Sequence, residues 1–120
     1  MKRIVTFDDT ETGRQRFQMI WDGFRVGALT AKPEARTQEV MRLEMAVRQA
    51  LKAISTNGQV QGDDTDVRAL QRGGGSVELE QPQVKLMLEY GWACQWKPTA
   101  LEAAVDALDH VDAAPSTKET

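Results

Sequence analysis

The stretch Pro33–Ile54 carries the clearest pattern in the chain and reads PEARTQEVMRLEMAVRQALKAI. Its apolar residues recur three and four positions apart, which is the spacing of one face of an α-helix. They are Val40, Leu43, Val47, Ala50, Leu51 and Ile54. The charged residues between them predict an exposed opposite face, made of Arg36, Glu39, Arg42, Glu44, Arg48 and Lys52. We therefore predict one long amphipathic helix, which needs an apolar surface to lie against.

The segment before this helix predicts an antiparallel hairpin. Apolar residues alternate from Phe17 to Trp21 and again from Phe24 to Ala28, on either side of Asp22-Gly23. Alternation is the pattern of a half-buried strand, and Asp-Gly is a preferred two-residue hairpin turn. Arg3–Phe7 also alternates and predicts a short first strand. The hairpin is the surface on which we expect the long helix to pack.

The segment after the long helix predicts a helix end, a loop and a second hairpin. The long helix is expected to begin near Pro33, which suits a first helical turn. It is expected to end just before Asn57-Gly58, which can adopt the left-handed conformation that stops a helix. Ser55–Asp66 is almost without apolar residues and predicts a mobile loop. A hairpin is expected from Val67–Gln71 and Ser76–Glu80, joined by three consecutive glycines.

Two shorter helices are expected near the C-terminus. The first runs from Pro82 to about Tyr90, with Gly91 as its stop. The second begins at Thr99, which forms a capping-box pattern with Glu102. Its inward stripe is predicted to be Leu101, Ala104, Val105, Leu108 and Val111. Residues 115–120 are polar and are expected to form a frayed tail.

Composition places the chain among globular proteins. It has 120 residues, of which 41% are hydrophobic and 28% charged, with a net charge of −3. These values predict a single domain, and the elements predicted above make it an α+β domain over residues 1–114, in the order β-β-β-α-β-β-α-α. No apolar run approaches the roughly 20 residues of a membrane helix. A lone cysteine, Cys94, suits a reducing compartment, so we expect a cytoplasmic protein, in the host cytoplasm or in a virion if the chain is phage-derived.

The sequence offers little for catalysis. Glu102, Asp106 and Asp109 share a face of the last helix with His110 nearby, but a metal site usually takes ligands from a second element. We interpret them as a solvated acidic face, and expect no metal or cofactor. With one histidine in the chain and no base placed beside Cys94, we predict that the protein is not an enzyme.

The sequence gives little support for a phosphate-binding loop or for a DNA-binding protein. Arg72–Ser76 is glycine-rich, but a phosphate-binding loop needs a lysine and a Ser or Thr opening a helix, whereas a strand pattern follows here. We interpret it as a hairpin turn. The order hairpin–helix–turn–helix suits a winged-helix DNA binder, yet the acidic last helix would repel phosphates.

An aromatic cluster near the C-terminus is the remaining candidate. Tryptophan and tyrosine are enriched among the residues that anchor protein interfaces. The candidate interface comprises Tyr90, Trp92 and Trp96 with an acidic rim of Glu102, Asp106 and Asp109. The alternative is that these rings close the core between the last two helices.

The chain resembles small accessory proteins of tailed bacteriophages. The resemblance lies in a compact α+β chain that ends in the small-residue-rich helix Leu101–Ala114 and lacks a catalytic signature. We therefore expect a non-enzymatic protein-interaction protein, a structural or assembly component that self-associates or binds a larger protein. The alternatives are a small regulator that docks on a host enzyme and, less favoured, the winged-helix DNA binder.

Overall fold

The computed structural model describes residues 2–30, 37–56 and 69–116. These residues form an α+β domain in which four α-helices cover a two-stranded antiparallel sheet. In chain order the elements are β1 (Lys2–Phe7), α1 (Glu11–Thr30), α2 (Gln38–Ala53), β2 (Gly75–Glu80), α3 (Gln81–Ala93), a 3₁₀ turn (Pro98–Ala100) and α4 (Leu101–Asp112). The predicted α+β class is confirmed, but the predicted order of elements is wrong. None of the described helices is long and apolar enough to cross a membrane.

Helix α1 stands where a hairpin was predicted. Its buried side chains follow helical spacing, three or four residues apart: Phe17, Ile20, Trp21, Phe24 and Ala28. The hydroxyl of Thr10 accepts a hydrogen bond of 3.0 Å from the N–H of Gly13, which caps the first turn. The same segment, Phe17–Ala28, contains both this helical spacing and the two-residue alternation that predicted strands.

The glycines of α1 allow close packing rather than a turn. A Cβ atom on Gly23 would lie 2.8 Å from the indole ring of Trp96, and one on Gly27 would lie 2.5 Å from Cβ of Tyr90. Both contacts are too short for real side chains. Asp22-Gly23 is thus part of a helix whose glycine side lies directly against α3 and the residues that follow it.

The sheet joins strands that are far apart in sequence. β1 and β2 pair antiparallel, with Val5 opposite Val77 and Arg3 opposite Leu79. Val5, Phe7, Val77 and Leu79 are buried beneath the helices. The predicted strands at Arg3–Phe7 and Ser76–Glu80 are confirmed. The predicted hairpin is wrong, because β2 pairs with β1, whereas the part of Val67–Gln71 that is described contributes an isolated bridge between Leu70 and Ser55.

The glycine run before β2 forms a turn against the end of β1. Gly73 and Gly74 have φ angles of 87° and 76°, a region that favours glycine. The N–H of Gly73 donates a hydrogen bond of 2.8 Å to the carboxylate of Asp9. The prediction of a turn here is confirmed, but it is not the predicted hairpin turn, because the strand that follows it pairs with β1.

Helix α2 keeps most of the stripe predicted for it. The hydroxyl of Thr37 accepts a hydrogen bond of 3.2 Å from the N–H of Val40 and caps the helix. Val47 and Leu51 are fully buried and Ile54 nearly so, while Leu43 is only partly buried. Pro33, Asn57-Gly58 and the loop predicted beyond Thr56 lie outside the described residues.

The C-terminal helices end and begin differently from the prediction. α3 continues past Gly91 to Ala93, so Gly91 is not the helix stop that was predicted. Glycine is needed there for packing, because a Cβ atom at Gly91 would collide with the side chain of Leu108 on α4. The predicted capping box of Thr99 and Glu102 is wrong. A 3₁₀ turn precedes α4, whose N-cap is Ala100 without a side-chain hydrogen bond.

The end of α4 is fixed to β1. A guanidinium nitrogen of Arg3 donates to the carbonyl oxygen of Asp112 over 2.7 Å. The N–H of Ile4 donates to the carbonyl oxygen of Pro115 over 2.9 Å, and Arg3 forms a bridge with Ser116. A cation at a helix C-terminus also interacts favourably with the helix dipole.

Candidate functional site

Large apolar side chains are exposed at two places in the described part of the chain. Met41 and Met45 of α2 are 52% and 55% exposed. Trp92 and Leu101 are each 51% exposed and flank the connection between α3 and α4. Exposed apolar groups that cluster often mark interaction sites, so both places are candidates.

The first candidate is a groove on the outer side of α2. Met41 and Met45 are one helical turn apart and contribute its apolar surface. The groove has a volume of about 740 Å³. It is lined by Gln38, Met41, Arg42, Glu44, Met45, Arg48, Gln49 and Lys52, and is called the α2 groove below. Sequence reasoning missed it because the charged residues around the methionines indicated a plain solvated face.

Glu44 departs from its predicted exposure on that face. Glu44 is only 4% exposed. Its carboxyl group accepts a hydrogen bond of 2.5 Å from the hydroxyl of Tyr90 on α3. The lining of the α2 groove thus includes the buried Glu44 and the cationic residues Arg42, Arg48 and Lys52. Arg42 is exposed there, and its guanidinium group favours an anionic partner.

The second candidate comprises Trp92 and Leu101, called the tryptophan end below. Trp92 lies on the last turn of α3, whereas Trp96 follows the helix, so they do not share a helical face. The indole N–H of Trp96 donates to the carbonyl oxygen of Gly91 over 2.9 Å, and its ring packs at Gly23. Trp96 thus supports the fold, and Trp92 is the tryptophan that a partner can reach.

Tyr90 contributes to packing as well as to the Glu44 hydrogen bond. Its ring lies 5.5 Å from that of Phe24, at an interplanar angle of 37°. It also lies against Gly27 of α1. The residues of the predicted aromatic interface therefore have different surroundings, since Tyr90 and Trp96 are half-buried between helices and Trp92 is exposed.

The residues of the predicted acidic rim are all exposed, but Asp106 is paired within the protein. Glu102 and Asp109 are exposed on α4. Asp106 instead forms an ion pair with Arg16 of α1, with nitrogen–oxygen distances of 2.8 and 3.2 Å. The hydrogen bond from Arg16 lowers the pKa of Asp106. Asp106 thus connects α1 to α4, while Glu102 and Asp109 remain candidate rim residues.

His110 and Cys94, the side chains considered for catalysis, are both half-buried within the fold. The Nε2 atom of His110 lies 2.6 Å from the carbonyl oxygen of Thr6, and its Nδ1 atom lies 3.4 Å from a guanidinium nitrogen of Arg16. Burial, and to a smaller extent Asp22, raises the pKa of the Cys94 thiol, which disfavours the reactive thiolate. In the residues that the structure describes, no group of three or more His, Cys, Asp or Glu side chains is placed to hold a metal ion.

No protein-family model matches the sequence, and no curated protein or solved structure is significantly similar to it. The α2 groove and the tryptophan end are therefore the features of the described residues that indicate a function.

Proposed function

We propose that the protein is a non-enzymatic interaction protein, a structural or assembly component that binds a protein partner through the α2 groove. The observation that carries this proposal is the pair Met41 and Met45, both more than half exposed in a groove with cationic sides. Methionine is common at surfaces that bind other proteins, because its flexible thioether adapts to different partners.

The base of the groove is rigid, which favours binding. The opposite face of α2 is held in the core by Val47 and Leu51, which are fully buried. The hydrogen bond between Tyr90 and Glu44 adds a fixed contact with α3. The backbone beneath Met41 and Met45 is therefore held in place, so a partner has to order side chains only, which lowers the entropic cost of binding.

The chemistry of the groove indicates the kind of partner. An apolar side chain would displace water from Met41 and Met45, while acidic side chains beside it would face Arg42. Such charges mainly increase the rate of association and fix the orientation of the partner. A protein segment with apolar anchors flanked by carboxylates fits both features.

A regulator that docks on another protein through the tryptophan end is the second candidate. Its support is that Trp92 and Leu101 are exposed near the acidic residues of α4. In that case, the surface of the partner would be apolar and basic. The phage resemblance agrees with either role, and an assembly role is the one we favour.

The groove is tested with two designed helical peptides that share Leu and Trp anchors and differ only in having Glu or Lys flanks. The protein carries ¹³C-methyl methionine, and its NMR signals report on Met41 and Met45 separately from the buried Met87. We expect the Glu-flanked peptide to shift the signals of Met41 and Met45 and the Lys-flanked peptide to bind at least about tenfold more weakly. Shifts with neither peptide would overturn the proposed groove.

A further inference from the structure

We propose that the partner in the α2 groove is a second copy of this chain, whose tryptophan end enters the groove so that copies associate head to tail. This inference rests on the proposed function, because it takes the α2 groove as the docking site and names its occupant. The observation behind it is that one molecule exposes two apolar surfaces, the α2 groove and the tryptophan end.

The two surfaces match in apolar character. The tryptophan end offers Trp92 and Leu101 as exposed anchors. The α2 groove, at about 740 Å³, lies within the range of roughly 300–1,000 Å³ typical of pockets that enclose a drug-sized molecule. It has room for an indole ring over Met41 and Met45. Large aromatic side chains that enter such pockets carry much of the binding energy of an interface.

The two surfaces are also opposite in charge. Arg42 lies on the side of the α2 groove, together with other cationic residues. Glu102 and Asp109 are exposed on α4, which begins at Leu101. When Leu101 is in the groove, the first turn of α4 brings Glu102 to its cationic side. Opposite charges at the edge of an apolar contact favour this pairing over others.

Symmetric pairing of like surfaces is disfavoured by the same charges. If two α2 grooves met, Arg42 of each copy would face the cations of the other. If two tryptophan ends met, the exposed carboxylates of Glu102 and Asp109 on each copy would outnumber the one cation of the connection, Lys97. Like charges placed against each other disfavour an interface. Groove against tryptophan end is the pairing that combines apolar contact with attraction.

A head-to-tail contact has a structural consequence. It leaves one α2 groove and one tryptophan end unoccupied on the pair, so further copies can add until a ring closes or a filament grows. This behaviour suits a component that builds a repeating assembly.

The inference is tested by a complementation experiment on the full chain. The groove variant carries Met41→Glu and Met45→Glu, and the end variant carries Trp92→Glu and Leu101→Glu. In sedimentation velocity over a wide concentration range, we expect wild type to self-associate and each variant to do so at least about tenfold more weakly. An equimolar mixture of the variants should form a 1:1 heterodimer and nothing larger, because one intact groove and one intact end remain.

Matched controls separate the contact from added charge and from misfolding. Ala53→Glu places the same charge on α2 at an exposed residue outside the groove lining, and Gln15→Glu does so on α1. Both should associate like wild type. Circular dichroism should give the same helical signal for all variants, since all six substituted residues are exposed.

Three results would overturn the inference. Wild type that stays monomeric to about millimolar concentration, where even weak contacts form, excludes a second copy, and binding of the Glu-flanked peptide would still support the proposed function. Loss of association in both variants without recovery in the mixture indicates a contact of another symmetry. Unchanged association in both variants, with no peptide shift at Met41 and Met45, overturns the inference and the proposed function together.

Discussion

The hydroxyl of Tyr90 donates a hydrogen bond of 2.5 Å to the carboxyl group of Glu44, and this bond joins α3 to α2 directly behind the α2 groove. Glu44 precedes Met45, so the backbone that presents the exposed methionine is fixed from the core side. Glu44 is 4% exposed, whereas carboxyl side chains are seldom buried unless they have a partner. The polar contact therefore serves the geometry of the groove as well as stability.

Replacing Tyr90 by phenylalanine should show this coupling. The variant keeps the ring that packs on Phe24 but removes a donor from the buried carboxyl group, so we expect unfolding to be easier by about 1–3 kcal/mol. Urea denaturation of the variants Tyr90→Phe, Glu44→Met and the double variant would measure the interaction energy of the pair, because methionine has a similar shape but no oxygen acceptor. Effects that simply add would show that the hydrogen bond contributes nothing of its own.

The parts of the fold that the sequence predicted correctly are those with one consistent pattern. The stripe of α2 has a helical period only, and Val47 and Leu51 are buried as expected. In α1, Phe17, Trp21 and Phe24 have helical spacing, but Phe17 and Trp21 also belong to one two-residue alternation and Phe24 to another, so the pattern alone could not decide. Asp22-Gly23 then favoured the hairpin, because a glycine that admits Trp96 looks the same in sequence as a glycine that makes a turn.

The site was predictable in part for a similar reason. Trp92 and Trp96 are equivalent in sequence, and only the end of α3 at Ala93 separates them into an exposed and a half-buried residue. Met41 and Met45 lie one turn apart outside the apolar stripe, and this spacing was a usable signal. The burial of Glu44 was not, since it depends on the hydroxyl of Tyr90, 46 residues away in the chain.

Replacing Gly27 by alanine should destabilise the protein although alanine is the better helix former. Helix propensity alone would favour alanine by about 1 kcal/mol. The new methyl group would, however, lie 2.5 Å from Cβ and 3.1 Å from Cα of Tyr90, and the backbone of α3 cannot turn aside. We expect a net loss of about 1–3 kcal/mol from overpacking.

Gly23→Ala provides the comparison for Gly27→Ala. Its methyl group would meet the outer edge of the Trp96 ring at 2.8 Å, and a ring can move more readily than a backbone. The loss in thermal denaturation should therefore be smaller than for Gly27→Ala. Equal stability of both variants and wild type would mean that α1 does not lie this close to α3.

Substitutions along the α2 stripe should follow burial. Leu51 is fully buried and Leu43 only partly. Leu51→Ala should lower the unfolding free energy by about 2–5 kcal/mol, because it leaves a cavity in the core. Leu43→Ala should have a smaller effect, since the site is open to water. Chemical denaturation of the two variants compares the same deletion at two depths, and a larger effect at Leu43 would show that the helix is rotated from its described position.

Two carboxylates should make the fold sensitive to acid. The N–H of Gly73 and then the guanidinium of Arg14 lower the pKa of Asp9 below its ordinary value of 3.8, and Arg16 lowers the pKa of Asp106. A carboxylate whose pKa is lower in the folded protein adds stability above the unfolded pKa, and this stability is lost as the pH falls through the folded value.

We therefore expect the urea midpoint of wild type to fall as the pH is lowered from about 5 to about 2, which spans the ordinary range of carboxylate titration. Asp9→Asn and Asp106→Asn should each be less stable than wild type near neutral pH and should approach it at the acidic end, because protonation removes the same charge. Asp109→Asn carries the same change on an exposed residue of α4 and serves as the control. Added salt should reduce the difference for Asp106→Asn, since its ion pair with Arg16 lies at the surface. A gap between wild type and the two variants that stays constant across this range would show that neither carboxylate is stabilised by its charge.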